Sequence, residues 1–219
     1  SVVDELINDP GLINGEPDEV SELITDLKEA SLLIQNNISR ASQLIQRFKN
    51  LSFHQVAETR EVVALDELIE EIIGLFRIEA KKSNIIIEFD SFPEDAGWEG
   101  FPGYLSQIML NLLMNAKNYA FPDRQQGRIT VELASESDDA FLLTVSDDGC
   151  GIPAEHVAQI FEPFFTTGRS TGGTGLGLSI VYNLVRDSLG GKITVDSSSD
   201  GTRFSMTLPK VAPVQESER

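Results

Sequence analysis

Asp147-Asp-Gly-Cys-Gly-Ile-Pro153, Phe161-Glu-Pro-Phe-Phe165 and Gly172-Gly-Thr-Gly-Leu-Gly-Leu178 follow one another in the second half of the chain, preceded by Asn111-Leu-Leu-Met-Asn115. These four stretches set the reading of everything around them. The asparagines lie within an apolar-periodic segment predicted as a helix over Gly103–Ala120. The Asp-Gly turn closes a strand, Phe141–Ser146, whose partner is Arg128–Ala134 across the polar turn Glu136–Asp139. The glycine-rich loop opens a helix expected over Gly175–Ser188. Further out, Glu61–Ala64 and Ile85–Phe89 read as strands, Asp66 as the cap of a helix ending near Lys82, and Lys192–Asp196 with Arg203–Leu208 as a hairpin around Ser198–Gly201. The chain after Pro209 reads as a disordered tail.

The first quarter has a different grammar. Leu27, Ile34, Ala41 and Phe48 recur every seven residues, and Ala30, Asn37, Leu44 and Leu51 follow three residues after each. That is the a/d seam of a helix, about Glu19–Leu51, that needs a partner helix to cover it. A helix packed on its own globular domain is the other reading. Asn37 at a d-type position would fix register or oligomeric state. The division is then residues 1–52 as a partial helical dimerisation segment, 53–60 as a linker, 61–210 as an α/β domain and 211–219 as the tail.

The 219 residues carry a net charge of −18. A surface of that sign repels nucleic acid and anionic lipid, so neither is an expected direct partner. One cysteine, Cys150, excludes an internal disulfide framework and fits a reducing cytoplasm. No apolar run approaches the roughly 20 residues needed to span a bilayer.

Asn111 and Asn115 are four apart and share a helix face. Amide oxygens are neutral hard donors suited to Mg²⁺, so the pair fits a divalent ion held against a triphosphate; alone it also reads as a polar helix face or a buried hydrogen-bonded pair. The Asp147 carboxylate can accept from an amino group and rejects a carbonyl edge, and Gly149 and Gly151 let the backbone come close to a planar ligand, although an Asp-Gly stretch is also simply a turn. Cys150 within it is expected to pack. Phe161, Phe164 and Phe165 around Pro163 form an apolar anchor. Gly172, Gly173, Gly175 and Gly177 before a helix suit a phosphate cradle, with Thr174 adding a hydroxyl. No Gly-Lys-Ser/Thr follows, so this is not a P-loop, and no strand directly precedes it, so it is not a dinucleotide fingerprint.

In this order and spacing, the four motifs resemble the N, G1, F and G2 boxes of the GHKL ATP-binding fold in its sensor histidine kinase form. The resemblance covers about Glu19–Pro209. It implies an α+β fold: a two-layer α/β sandwich of a mixed, largely antiparallel sheet with helices on one face, preceded by a long helix of a dimeric four-helix bundle. It implies ATP and Mg²⁺ as cofactors, with Asn111 and Asn115 as catalytic and metal-binding residues. The ATP contacts it implies are Asn115, Asn118, Asp147, Gly149, Gly151, Ile152, Phe161, Phe165, Thr167, Arg169, Gly173, Thr174, Gly175, Leu176, Gly177 and Leu178. Thr166–Thr171 would form a mobile lid. The partners implied are a second copy, through the helical segment, and a response-regulator receiver domain. Two departures matter. Where ATP-hydrolysing relatives place a basic glutamate, this chain has Asn111, so transfer to a protein group is favoured over hydrolysis. Where the histidine-kinase pattern has Lys or His, this chain has Asn118, with Lys117 one place early.

The acceptor histidine is not found. His54 precedes Gln55 in the linker and His156 follows the base-binding turn; neither stands in a phosphoacceptor box, and both read as surface residues. The expectation is a cytoplasmic fragment of a larger sensor kinase that does not autophosphorylate alone. An ATP-binding pseudokinase or scaffold, or an ATPase of the same superfamily, are the alternative readings.

Overall fold

The structure is a computed structural model that describes residues 59–122, 126–168 and 173–214, all within the unit Phe53–Arg219. The heptad helix, Asn37, His54, Arg169, Thr171, Gly172 and most of the linker lie outside the described residues. The elements run β1 (Glu61–Ala64), α1 (Leu65–Lys82), β2 (Ile85–Ser91), β3 (Gly97–Gly100), α2 (Pro102–Asn115), β4 (Gly127–Ser137), β5 (Ala140–Asp147), α3 (Ala154–Val157), α4 (Gly177–Asn183), β6 (Lys192–Ser198) and β7 (Gly201–Pro209). Both α2 and α4 continue into a π-helical turn, Ala116–Ala120 and Leu184–Ser188.

Five strands form one sheet in the order β2-β4-β5-β7-β6. Only β2 and β4 run parallel; the remaining pairs are antiparallel. Alternation along the strands buries Ile129, Val131 and Leu133 of β4, Phe141, Leu143 and Val145 of β5, and Phe204, Met206 and Leu208 of β7 on one face. The helices cover that face with residues at helical spacing: Leu65, Ile69, Ile73 and Phe76 from α1, Leu105, Ile108, Met109 and Leu112 from α2, and Val181 and Val185 from α4 and its π turn. The other face carries the ion pairs Arg128–Glu88 and Arg203–Glu132. This is the expected two-layer sandwich with helices on one face.

Three local expectations are corrected. Asp66 is not the cap of α1. The helix starts at Leu65, whose N–H donates to the Ala96 carbonyl, and Asp66 accepts instead from the Glu67 N–H. The β4–β5 turn is tighter than Glu136–Asp139, because β4 runs to Ser137 through an irregularity at Ser135–Ser137. The chain also stays ordered beyond Pro209: the Lys210 carbonyl accepts from Glu99, the Ala212 N–H donates to Glu99, and Ala212 is buried. The backbone of β3 supplies these partners, and the sequence carries no strand signal there. β3 pairs antiparallel with β1.

Trp98 anchors β3. Its ring is fully buried and its indole N–H donates to the Pro209 carbonyl at 3.0 Å, joining β3 to the end of the main sheet. Trp98→Ala is expected to cost about 3–5 kcal/mol from the cavity and the orphaned carbonyl. A thermal melt lowered by roughly 10 °C checks this; an unchanged melt contradicts it.

Candidate nucleotide-binding site

The two asparagines sit one turn apart at the end of α2. The Asn111 Nδ2 donates to the Gln107 carbonyl of its own helix at 2.9 Å. Its Oδ1 faces the start of α4: a Cβ built on Gly177 would lie 3.2 Å from it and 3.8 Å from the Asn115 amide atoms. The amide nitrogen of Asn115 is buried with no partner among the described residues. A buried orphan of this kind costs free energy unless something fills its valence. A 180° rotation of the side-chain amide exchanges its N–H₂ and its oxygen, so the head can present either one to a ligand. Two amide heads, one of them unsatisfied among the described residues, fit an ion that brings further oxygen donors of its own. Among the described residues, no group of three or more His, Cys, Asp or Glu could hold a metal. The Asn115 amide oxygen, a neutral hard donor, would suit a divalent ion that keeps other oxygen ligands of its own.

Asp147 ends β5 opposite Ile129 and Thr202. Its Oδ1 accepts from the Gly149 N–H at 3.0 Å and the Thr202 N–H at 3.3 Å, while Oδ2 has no hydrogen bond among the described residues. Burial pushes the carboxyl above its usual 3.8; the two N–H groups pull it back, and the neighbouring Asp148 pushes it up again. The turn is fixed from several sides. Asp148 N–H donates to Arg128 O and its Oδ1 accepts from Arg128 N–H. Ile152 N–H donates to Ser197 Oγ at 2.8 Å, and Ser197 Oγ lies 3.1 Å from Thr202 Oγ1. Gly151 has φ +71°, and a side chain there would run into the Ser198 carbonyl. Cys150 is exposed rather than packed: its N–H donates to the Ala120 carbonyl and its Sγ to the Tyr119 carbonyl at 3.5 Å.

The segment between the two glycine-rich loops is anchored by Phe161, whose ring lies 5.3 Å from Tyr182 and 6.4 Å from Phe204. Phe165 packs 5.4 Å from the His156 ring, so His156 is a half-buried stacking partner rather than a free surface residue. Phe164 is exposed with φ +69°, a conformation costly for a bulky residue, and is held there by its N–H to the Gly175 carbonyl at 2.8 Å. Gly175 is itself left-handed, at φ +69°, which is why α4 begins at Gly177 rather than Gly175. Thr174 Oγ1 accepts from Leu176 N–H at 3.4 Å, and Gly173 N–H donates to the Gly168 carbonyl. Ile152, Leu176 and Leu178 are half-buried along this edge, and Thr167 is exposed. Asn118 is exposed. Lys117 points to α1, where its Nζ lies 2.6 Å from Glu79 Oε1.

The structure thus brings Asn111, Asn115 and Gly177 together, and Asp147, Gly149, Gly151 and Ile152 together. The two groups meet at the π turn 116–120. Ala120 O takes the Cys150 N–H, and the Tyr119 hydroxyl stands over Gly173, where a built Cβ would lie 2.5 Å from it. Three residues here were missed by sequence reasoning: Thr202, Ser197 and Tyr119. Tyr119 carried a signal, because it continues the four-residue spacing of Asn111 and Asn115. Thr202 and Ser197 carried none, because the hairpin β6–β7 places them beside Asp147 only after folding.

The family model described as histidine kinase-, DNA gyrase B- and HSP90-like ATPase matches residues 101–212. Over 203 residues the chain is 32% identical to the sensor histidine kinase ZraS of Salmonella typhi, covering 92% of this chain and 40% of that protein. The chain thus spans well under half of that relative's length. The solved nucleotide-free catalytic domain of histidine kinase ThkA is similar with a TM-score of 0.62 and 34% identity, over 70% of this chain and 97% of that one. ThkA in complex with response regulator protein TrrA gives a TM-score of 0.62 at 26% identity, over 90% of this chain and 53% of that one. With the motif order, the sandwich and these matches in agreement, the chain belongs to the histidine kinase-, DNA gyrase B- and HSP90-like ATPase family, in its histidine kinase branch.

Proposed function

We propose that this chain is the ATP-binding catalytic part of a sensor histidine kinase, transferring the ATP γ-phosphoryl to a histidine nitrogen carried on a helical dimerisation domain. The observation that carries the reading is the meeting of the asparagine helix, the Asp147 turn and the glycine-rich loop at one π turn. Asp147 Oδ2 accepts the adenine amino group, with Oδ1 already held by two N–H groups. Gly149, Gly151 and Ile152 border the base. Gly173, Thr174, Gly175, Leu176, Gly177 and Leu178 approach the phosphates from the start of α4, and Thr167 and, by its place in the sequence, Arg169 are the further candidates for a phosphate contact. Asn115, with Asn111 beside it, would hold Mg²⁺, which would supply positive charge against the triphosphate.

The reaction forms a bond between the histidine nitrogen and the γ-phosphorus, using the imidazole lone pair, and breaks the bond to the β,γ-bridging oxygen, which leaves with ADP. The protein contributes mainly position and charge. Asn111 cannot take a proton from water, so hydrolysis is not promoted. The phosphoryl group then passes to an aspartate of a response-regulator receiver domain. The solved complex of ThkA with TrrA supports that partner class. The heptad spacing of the sequence supports a homodimer, and the single cysteine fits a cytoplasmic reaction. Among the described residues, no helix is long and apolar enough to cross a membrane.

The test is transfer from γ-³²P-ATP to a separately produced two-helix domain bearing an acceptor histidine. Acid-labile, base-stable label on that domain is the expected result. Bound ATP without label, or steady phosphate release by the chain alone, would overturn the reading.

A further inference from the structure

Glu79 lies on α1, outside all four motifs, and its carboxylate holds two lysines. Lys117 Nζ is 2.6 Å from Oε1 and Lys82 Nζ is 2.9 Å from Oε2. Lys117 is mostly buried, with 16% of its side chain exposed, and belongs to the π turn Ala116–Ala120 that continues α2 beyond Asn115. That turn is the junction of the site. Asn115 precedes it. Its Ala120 carbonyl accepts from Cys150 N–H, its Tyr119 carbonyl accepts from Cys150 Sγ at 3.5 Å, and Ala120 lies against Gly149, which donates to Asp147. The Tyr119 hydroxyl reaches Gly173. A π turn is rare, arises mostly as a single turn in an α-helix and is frequent at functional sites. Here α1, rooted in the core by Leu65, Ile69, Ile73 and Phe76, supplies an outside tether.

We propose that the Glu79–Lys117 ion pair positions the π turn 116–120 and thereby sets nucleotide affinity, so that Glu79 and Lys117 are positioning residues of the nucleotide site. This rests on the ATP-binding reading above. Lys117 acts from behind the site rather than as the phosphate contact its neighbouring place in the motif suggests. The Glu79 carboxyl is pulled from 4.5 to about 2, first by Lys117 and then by Lys82, so it is ionised throughout the neutral range. Lys82 cannot substitute for Lys117, because it stands on α1 itself and ties nothing to the turn.

The experiment titrates the full chain with Mg²⁺ and ATP, and measures KM and kcat for transfer, in the wild type, Lys117→Met, Glu79→Gln, Lys117→Arg and the Glu79→Gln/Lys117→Met double variant. Each single charge removal is expected to raise Kd and KM about three- to five-fold, the span of a partly exposed ion pair, with kcat unchanged. Lys117→Arg is expected to keep the wild-type Kd. The double variant is expected to lose no more than either single one, since both remove the same interaction. Thermal melts identify any variant that has lost its fold, and Lys117→Arg preserves the test in that case. Wild-type affinity in both single variants, losses that add in the double, or no rescue by arginine would overturn the proposal alone. A wild-type chain that binds no ATP would sink the nucleotide reading and this proposal with it.

Discussion

Asp147→Ala is expected to weaken ATP binding by about 1.5–3 kcal/mol, or roughly ten- to 150-fold, the range of a hydrogen bond to a charged group. The loss has two parts. The adenine amino group loses its acceptor, and the N–H groups of Gly149 and Thr202 lose theirs, so the turn that shapes the pocket loosens as well. Asp147→Asn keeps an acceptor for one of these partners and is expected to fall between the wild type and alanine. The pH dependence follows from the raised carboxyl. Binding of the amino group requires the ionised form, so affinity falls on acidification, with a midpoint above the ordinary aspartate value of 3.8. The stability of the nucleotide-free chain responds with the opposite sign. A carboxyl raised on folding contributes stability that is fully present below the unfolded value, and that contribution is lost as pH rises through the folded one. Calorimetric titration from neutral to acid pH, with Asp147→Ala as the pH-insensitive control, checks both. An unchanged dissociation constant in Asp147→Ala would remove this residue from the base pocket.

Asn115→Ala is expected to abolish detectable Mg²⁺-dependent transfer, a loss on the order of 10²–10³ or more, by analogy with deleting one preorganised group that meets developing charge. The fold should tolerate the change, because the Asn115 amide nitrogen has no partner to lose among the described residues. Its burial without a partner is a cost that ligand binding relieves, so the variant is expected to melt no lower than the wild type without nucleotide. Full activity would sink the metal assignment. Loss of activity accompanied by a collapsed melt would instead make Asn115 a packing residue.

Much of the candidate site's local geometry was legible from sequence because it is carried by short local patterns. An i,i+4 asparagine pair has one geometric meaning on a helix, and the glycines at 151 and 175 stand where the backbone is left-handed. The strands of the sheet followed from alternation, and α1 and α2 from their apolar spacing. What was not legible depends on distant partners. β3 is four residues long, and its strand character comes from β1 and from the segment after Pro209 rather than from its own pattern. The ordered Lys210–Ala212 stretch is the same fact seen from the other side. The Thr202 contact to Asp147 and the Glu79–Lys117 pair each join elements far apart in the chain. Asp66 failed as a cap because Leu65 finds the Ala96 carbonyl, a contact that no local signal announces.

The most direct test of the account is a crystal structure of this chain with Mg²⁺ and a non-hydrolysable ATP analogue. The expected result is the adenine amino group on Asp147 Oδ2, the metal on the Asn115 amide oxygen, and the phosphates along the Gly173–Gly177 loop. Nucleotide bound away from Asp147, or a metal that ignores Asn115, would contradict it.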